Sequence, residues 1–147
     1  MCPTPVTASD RTGRRVRILL VEDMPQVLHD LRQLLELTGR FEIVGEAGDG
    51  AEAVRLAGEL SPEAVILDLE MPRLDGYEAA RLIKELQPAS RVIILSAHAG
   101  LEEQQRARAA GADGFVMKGD RYEILVNAIL GGEYPPDPDT PEKGTKS

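Results

Sequence analysis

Four apolar runs in this chain end in residues that could do chemistry together. Ala64-Val65-Ile66-Leu67 leads into Asp68, and Val16–Val21 leads into Glu22-Asp23. Val92–Leu95 is followed by Ser96, and Gly114–Met117 by Lys118. If the runs are neighbouring parallel strands, their ends meet at one edge of a sheet, the edge where open α/β sheets bind ligands. Three carboxylates, a hydroxyl and an ammonium would then surround one small space. A carboxylate is a poor nucleophile toward a phosphoryl group because both partners are anionic, and a divalent cation removes that obstacle. Mg²⁺ prefers octahedral oxygen coordination and usually takes only one or two carboxylates, leaving places for water and phosphate. Asp23 and Asp68 suit those places, with Glu22 acting directly or through water. A backbone carbonyl just past Asp68, most naturally that of Glu70, completes the protein's share. Lys118 offers a point charge to a phosphoryl oxygen and Ser96 a hydroxyl donor. Positioning and charge neutralisation are most of what phosphoryl transfer asks of a protein. Taken singly, Asp23 would be a helix cap, Ser96 a turn residue and Lys118 a solvated lysine. Their joint occurrence at four strand ends points to phosphoryl acceptance on Asp68.

The elements that must position these residues follow from periodicity. Val16–Val21, Phe41–Ala47, Ala64–Leu67, Arg91–Leu95 and Gly114–Met117 are mostly short and β-branched, as strands buried on both faces should be. Between them, apolar residues recur at helical spacing. The first helix carries Val27, Leu28, Leu31, Leu34, Leu35 and Leu37, and the second Ala53, Val54, Ala57 and Leu60. Tyr77, Ala80, Leu82, Ile83 and Leu86 suit the third, and Ile124, Leu125, Ala128 and Ile129 the fifth. The fourth, around Leu101–Ala110, has hardly any large apolar residue. It reads equally as a mobile, partner-facing element or as an exposed helix held by alanine propensity.

Asp49 with Glu52, Asp75 with Glu78, and Asp120 with Glu123 have capping-box spacing. Pro25 suits a first turn, Pro62 and Pro88 stop helices, and Gly39 and Gly111 suit left-handed caps. Five strands alternating with five helices predict a doubly wound α/β fold, flavodoxin-like, with a five-stranded parallel sheet in the order 2-1-3-4-5. That order sets Asp23 beside Asp68.

The 147 residues suit one domain. We expect a flexible tail over 1–15, a domain over 16–131, and a Pro-rich acidic tail or linker stub over 132–147. Aromatics are 3% of the chain, so the core must be aliphatic, and the net charge of −8 argues against nucleic-acid binding. A single cysteine, Cys2, fits a reducing compartment. No stretch is long and apolar enough for a membrane span and no signal peptide is evident, so a soluble, cytoplasmic protein without membrane contact is expected.

The motifs resemble the receiver domain of two-component response regulators, over about Val16 to Leu130. The matching pieces are Leu20-Val21-Glu22-Asp23 with Pro25, Asp68-Leu69-Glu70-Met71-Pro72 with Asp75-Gly76, Leu95-Ser96-Ala97, and Gly111-Ala112-Asp113-Gly114-Phe115 with Lys118. The resemblance implies a sensor histidine kinase or phosphotransfer protein as donor, Asp68 as acceptor, and Glu22 and Asp23 as the acidic metal pair. It also implies Ser96 as the switch hydroxyl, Phe115 as the switch aromatic, and Lys118 as the family's lysine. Read from the residue alone, Phe115 is an ordinary buried ring on the last strand. Gly119 stands where the family often has a proline. Glu70 and His98 occupy positions that in this family look over the phosphoryl group, although His98 also reads as an exposed loop residue. The implied readout surface is helix 4, strand 5 and helix 5, to which Arg121 and Tyr122 could contribute and through which a homodimer could form.

Phe41–Ala47 and the glycines near Gly111 look most like receivers joined to helix-turn-helix transcription factors. The alternative reading is thus the regulatory part of a DNA-binding regulator whose output domain is absent here. Asp68-Leu69-Glu70 also superficially resembles the Asp-x-Asp of aspartyl phosphatases, but follows the wrong strand and lacks the second aspartate. A flavin site is excluded: it needs a hydroxyl- and glycine-rich phosphate loop after the first strand, where Glu22-Asp23-Met24-Pro25 would repel a phosphate unless a metal intervened. The expectation is a phosphoacceptor switch and not an enzyme.

Overall fold

Apolar runs too short for helices, separated by amphipathic segments with their own start and stop signals, leave little choice but alternation. The computed structural model describes residues 15–69, 75–98 and 100–131. In order they form β1 (Val16–Val21), α1 (Pro25–Leu37), β2 (Phe41–Ala47), α2 (Gly50–Leu60) and β3 (Ala64–Asp68), then α3 (Gly76–Leu86), β4 (Arg91–Ser96), α4 (Leu101–Ala109), β5 (Gly114–Met117) and α5 (Tyr122–Ile129). The strands pair in parallel in the order β2-β1-β3-β4-β5, the doubly wound sheet that the alternation predicts. Two strands run one residue further than the apolar pattern: β3 includes Asp68 and β4 includes Ser96, so both polar residues belong to the ladder.

Side chains alternate across a strand, so the sheet sorts its residues into two layers. Leu19, Val21, Val65, Leu67, Val92, Ile94 and Phe115 pack under α2, α3 and α4. Ile18, Leu20, Ile66, Ile93, Leu95 and Val116 pack against Leu35 of α1 and Leu125, Ala128 and Ile129 of α5. Every residue of β3 is buried, as a central parallel strand requires.

The helical stripes are narrower than the spacing suggests. On α1 only Leu35 is fully buried, while Leu34 is partly exposed and Leu37 is 83% exposed. Leu86 and Ile124 also face solvent. The buried face is narrower around the helix than the run of apolar residues: Leu37 is two residues from Leu35 and so points to the opposite side.

Asp49 caps α2 by accepting from Glu52 N at 2.8 Å, and Glu52 reaches back to Gly48 N at 3.0 Å. Asp75 caps α3 by accepting from Tyr77 N at 2.8 Å, but Glu78 pairs with Arg81 and does not complete a box. The third expected box is absent. The cap position of α5 is Arg121, with no side-chain hydrogen bond, and Asp120 turns back toward β5. Pro25 opens α1, and Gly39 (φ +74°) and Gly111 (φ +93°) adopt the left-handed conformation expected of them.

α4 buries no large apolar side chain. Its only buried residues are Gln104 and Ala107. It leans on α3 through Arg106, whose guanidinium sits 4.1 Å from the centre of the Tyr77 ring and 4.0 Å from Asp75. No helix among the described residues is long and apolar enough to cross a membrane.

Candidate functional site

The carboxyl ends of β1, β3, β4 and β5 converge. Leu69 N donates to Leu95 O at 2.9 Å, carrying the β3–β4 ladder one residue past Asp68. Lys118 N donates to Ser96 O at 2.7 Å and does the same for β4 and β5. Glu22 N donates to Ala47 O at 3.0 Å, so β1 too keeps its pairing to the point where its acids begin. Glu22, Asp68, Ser96 and Lys118 are thus held in or directly beside the sheet ladders, with Asp23 one residue further on.

Glu22, Asp23 and Asp68 each offer a carboxylate oxygen within 4.8 Å of the others. Glu22 and Asp68 are almost completely buried, at 2% and 1% exposure, while Asp23 is exposed at the mouth. Lys118 Nζ lies 2.8 Å from Asp68 Oδ1. Ser96, fully buried, donates from Oγ to His98 O at 2.9 Å and accepts from His98 N at 3.0 Å. His98 contributes backbone only to that contact, and its side chain is exposed. Phe115 is buried on β5 in the layer under α4. The position of Glu70, with its expected carbonyl ligand, lies outside the described residues, as do Met71-Pro72 and both tails.

Buried acids this close repel one another. Burial, reinforced by the hydrogen bond and negative charge of Asp68, raises Glu22 from its ordinary 4.5 to about 7, against the opposing pull of Met24 N–H and Lys118. Glu22 Oε1 is buried and meets no donor among the described residues. An oxygen-rich cluster with an orphaned buried lone pair, next to an exposed carboxylate, suits a hard divalent cation.

Glu22 therefore links metal-free stability to pH. A carboxyl whose folded pKa lies above its unfolded value favours the fold in its protonated form. That contribution is complete below about pH 4.5 and is lost as pH rises through 7. Urea titrations without metal should show this component of stability declining between pH 5 and 8. Saturating Mg²⁺ should reverse the decline, and Glu22→Gln should abolish it.

Three contacts at the site have weak sequence signals. Met24 N donates to Glu22 Oε2 at 3.3 Å, a backbone bond that no side-chain pattern announces. The Tyr77–Arg106 stack joins α3 to α4 across 29 positions of sequence. Asp120 accepts from Met117 N at 3.2 Å, where its spacing from Glu123 suggested a helix cap. Gly76 has a local reason to be glycine: a Cβ there would lie 3.0 Å from Leu69 Cα, just after the buried aspartate.

Comparisons with known proteins agree with this geometry. Residues 18–130 match the family model described as the response regulator receiver domain. The chain is 41% identical over 125 residues to the transcriptional regulatory protein PdtaR of Mycobacterium tuberculosis, covering 85% of this chain and 60% of that protein. A LuxR-family two-component response regulator from Aurantimonas superposes with TM-score 0.77 at 38% identity, covering 85% of this chain and 91% of that one. A CheX–CheY–BeF3–Mg complex from Borrelia burgdorferi matches with TM-score 0.76 at 27% identity, over 82% and 91% of the two chains. The chain spans little more than half the length of the curated relatives it matches. A doubly wound sheet with buried acids at its switch point, an ammonium just past the last strand and a matching family model together identify the chain as a member of the response-regulator receiver family.

Proposed function

We propose that Asp68 is the phosphoacceptor of a two-component switch. The donor is a phosphohistidine on a sensor histidine kinase or a phosphotransfer protein. An Asp68 carboxylate oxygen attacks phosphorus, the P–N bond to the donor imidazole breaks with its electron pair leaving on nitrogen, and an acyl phosphate forms on Asp68. The observation that carries this reading is Lys118 Nζ at 2.8 Å from a buried aspartate that is clustered with two further acids, Glu22 and Asp23. Lys118 neutralises the incoming anion, and the sheet hydrogen bonds to Ser96 O and Leu95 O fix acceptor and ammonium relative to one another. Glu22, Asp23, Asp68 and the Glu70 carbonyl would hold Mg²⁺, whose charge screens the approach of two anions. The similar Borrelia protein was solved with magnesium and beryllium trifluoride, which supports this metal here.

The readout follows from the two layers. Asp68 and Lys118 continue the face that carries Ile66 and Val116, whereas Ser96 continues the face of Ile94 and Phe115, under α4. Ser96 drawn toward a phosphoryl group would exchange its bonds to His98 and disturb the layer where Phe115 and the weakly held α4 meet. The α4–β5–α5 face is then the surface presented to a target or to a second copy. The chain works as a cytoplasmic phosphoacceptor switch that assists only its own phosphorylation and dephosphorylation. A second reading, a receiver serving the output domain of a longer transcriptional regulator, is favoured by the name and greater length of the PdtaR relative.

Intact mass after incubation with Mg²⁺ and acetyl phosphate tests the central claim. Wild type should gain one phosphate, dependent on Mg²⁺, and Asp68→Ala should gain none. A folded wild type that takes no phosphate, or an Asp68→Ala variant that still does, would remove Asp68 from this role.

A further inference from the structure

We propose that Asp120 is a positioning residue for phosphoryl transfer, holding the turn that sets Lys118 against Asp68. This rests on the role proposed above for Asp68. β5 is four residues long and lies at the edge of the sheet, paired with β4 alone. Successive N–H groups of a strand point to opposite sides. Lys118 N–H is used by Ser96 O on β4, so Met117 N–H faces the open edge, where no strand can receive it. Asp120 Oδ2 accepts from it at 3.2 Å. The Asp120 N–H in turn donates to Met117 O at 3.1 Å, closing a four-residue turn from Met117 to Asp120. Gly119 supplies the left-handed step within that turn, at φ +98°, which side chains other than glycine rarely adopt. Met117 and Asp120 are therefore bonded twice, once through backbone and once through the carboxylate, and Lys118 projects from inside the loop they close. Both groups that flank the ammonium are fixed, so its reach to Asp68 is set by the turn and not by the flexible stem alone.

The test uses the full chain, Asp120→Ala and Asp120→Asn, with Mg²⁺ and acetyl phosphate as the probes. Initial phosphorylation rates are measured across donor concentrations, beside amide exchange at Met117. Asp120→Ala should lower the saturated rate roughly three- to tenfold, the worth of about one hydrogen bond, and should deprotect Met117 N–H. Mg²⁺ affinity should stay unchanged, since Asp120 is not among the clustered acids. Asp120→Asn keeps an acceptor oxygen and should restore both rate and protection. An alanine variant as fast as wild type overturns the proposal. So does an asparagine variant as slow as alanine, which would make the effect one of charge, or a Met117 amide already unprotected in wild type. A wild type that takes no phosphate would instead sink the role of Asp68. Met117 exchange and the Lys118 ammonium resonance in the two variants would then decide whether Asp120 holds the turn.

Discussion

Lys118→Ala should slow phosphoryl transfer to Asp68 about a hundredfold while leaving Mg²⁺ binding in place. The expected size is that of removing one preorganised donor from a site where negative charge accumulates. The ammonium lies 2.8 Å from Asp68 Oδ1 and is anchored through its own backbone to Ser96, so its position requires no rearrangement as the donor arrives. Lys118→Arg should recover only part of the rate, because a planar fork does not occupy the place of a compact point charge. The measurement is the initial rate of the phosphate adduct by mass, with Mg²⁺ affinity titrated separately. A rate within threefold of wild type would reduce Lys118 to a partner that merely neutralises a buried acid.

Phe115→Ala should cost about 3–5 kcal/mol of stability, among the largest losses a single core substitution can cause. The chain has two phenylalanines, and the fold assigns one to each layer: Phe41 beside α1, and Phe115 under α4. The other fully buried side chains of that layer are Val, Ile, Leu and Ala, held in place by the sheet and its helices, so removing the ring leaves a void they fill only in part. Phe115→Leu should cost far less, roughly 1 kcal/mol, and keep phosphorylation by acetyl phosphate. Urea melts compare the two. If the alanine variant lost less than about 1 kcal/mol, the ring would not be packed as the structure shows.

Much of this architecture is visible in the residues. β1, β2 and β5 coincide with their apolar runs, and the strand order follows from alternation and right-handed crossovers. The acids, Ser96 and Lys118 could be placed at one edge because a parallel sheet gathers all its strand ends there. What could not be read is whatever depends on which side a helix turns to its sheet or where a loop turns back. Leu37 is apolar and sits among leucines, but it is two residues from Leu35 and so lies on the opposite side of the helix, where it is 83% exposed. Asp120 has cap spacing, yet an open strand edge offers it a competing donor, which it takes, and the helix starts one residue later with Arg121 at its cap. The Tyr77–Arg106 stack joins positions whose proximity depends on how α3 and α4 pack, which no local pattern encodes.

The acids of β1 and the ammonium of β5 stand at opposite ends of the folded sequence, and Lys118 rides the shortest strand, at the edge. A chain that had assembled β1 to β4 but not yet docked β5 would possess an acceptor without its ammonium. On the roles proposed for Asp68 and Lys118, local opening of this one edge strand would slow phosphoryl acceptance while the rest of the sheet stayed closed. The same edge strand would then couple the integrity of the chain's last sheet element to the rate at which it takes up its signal.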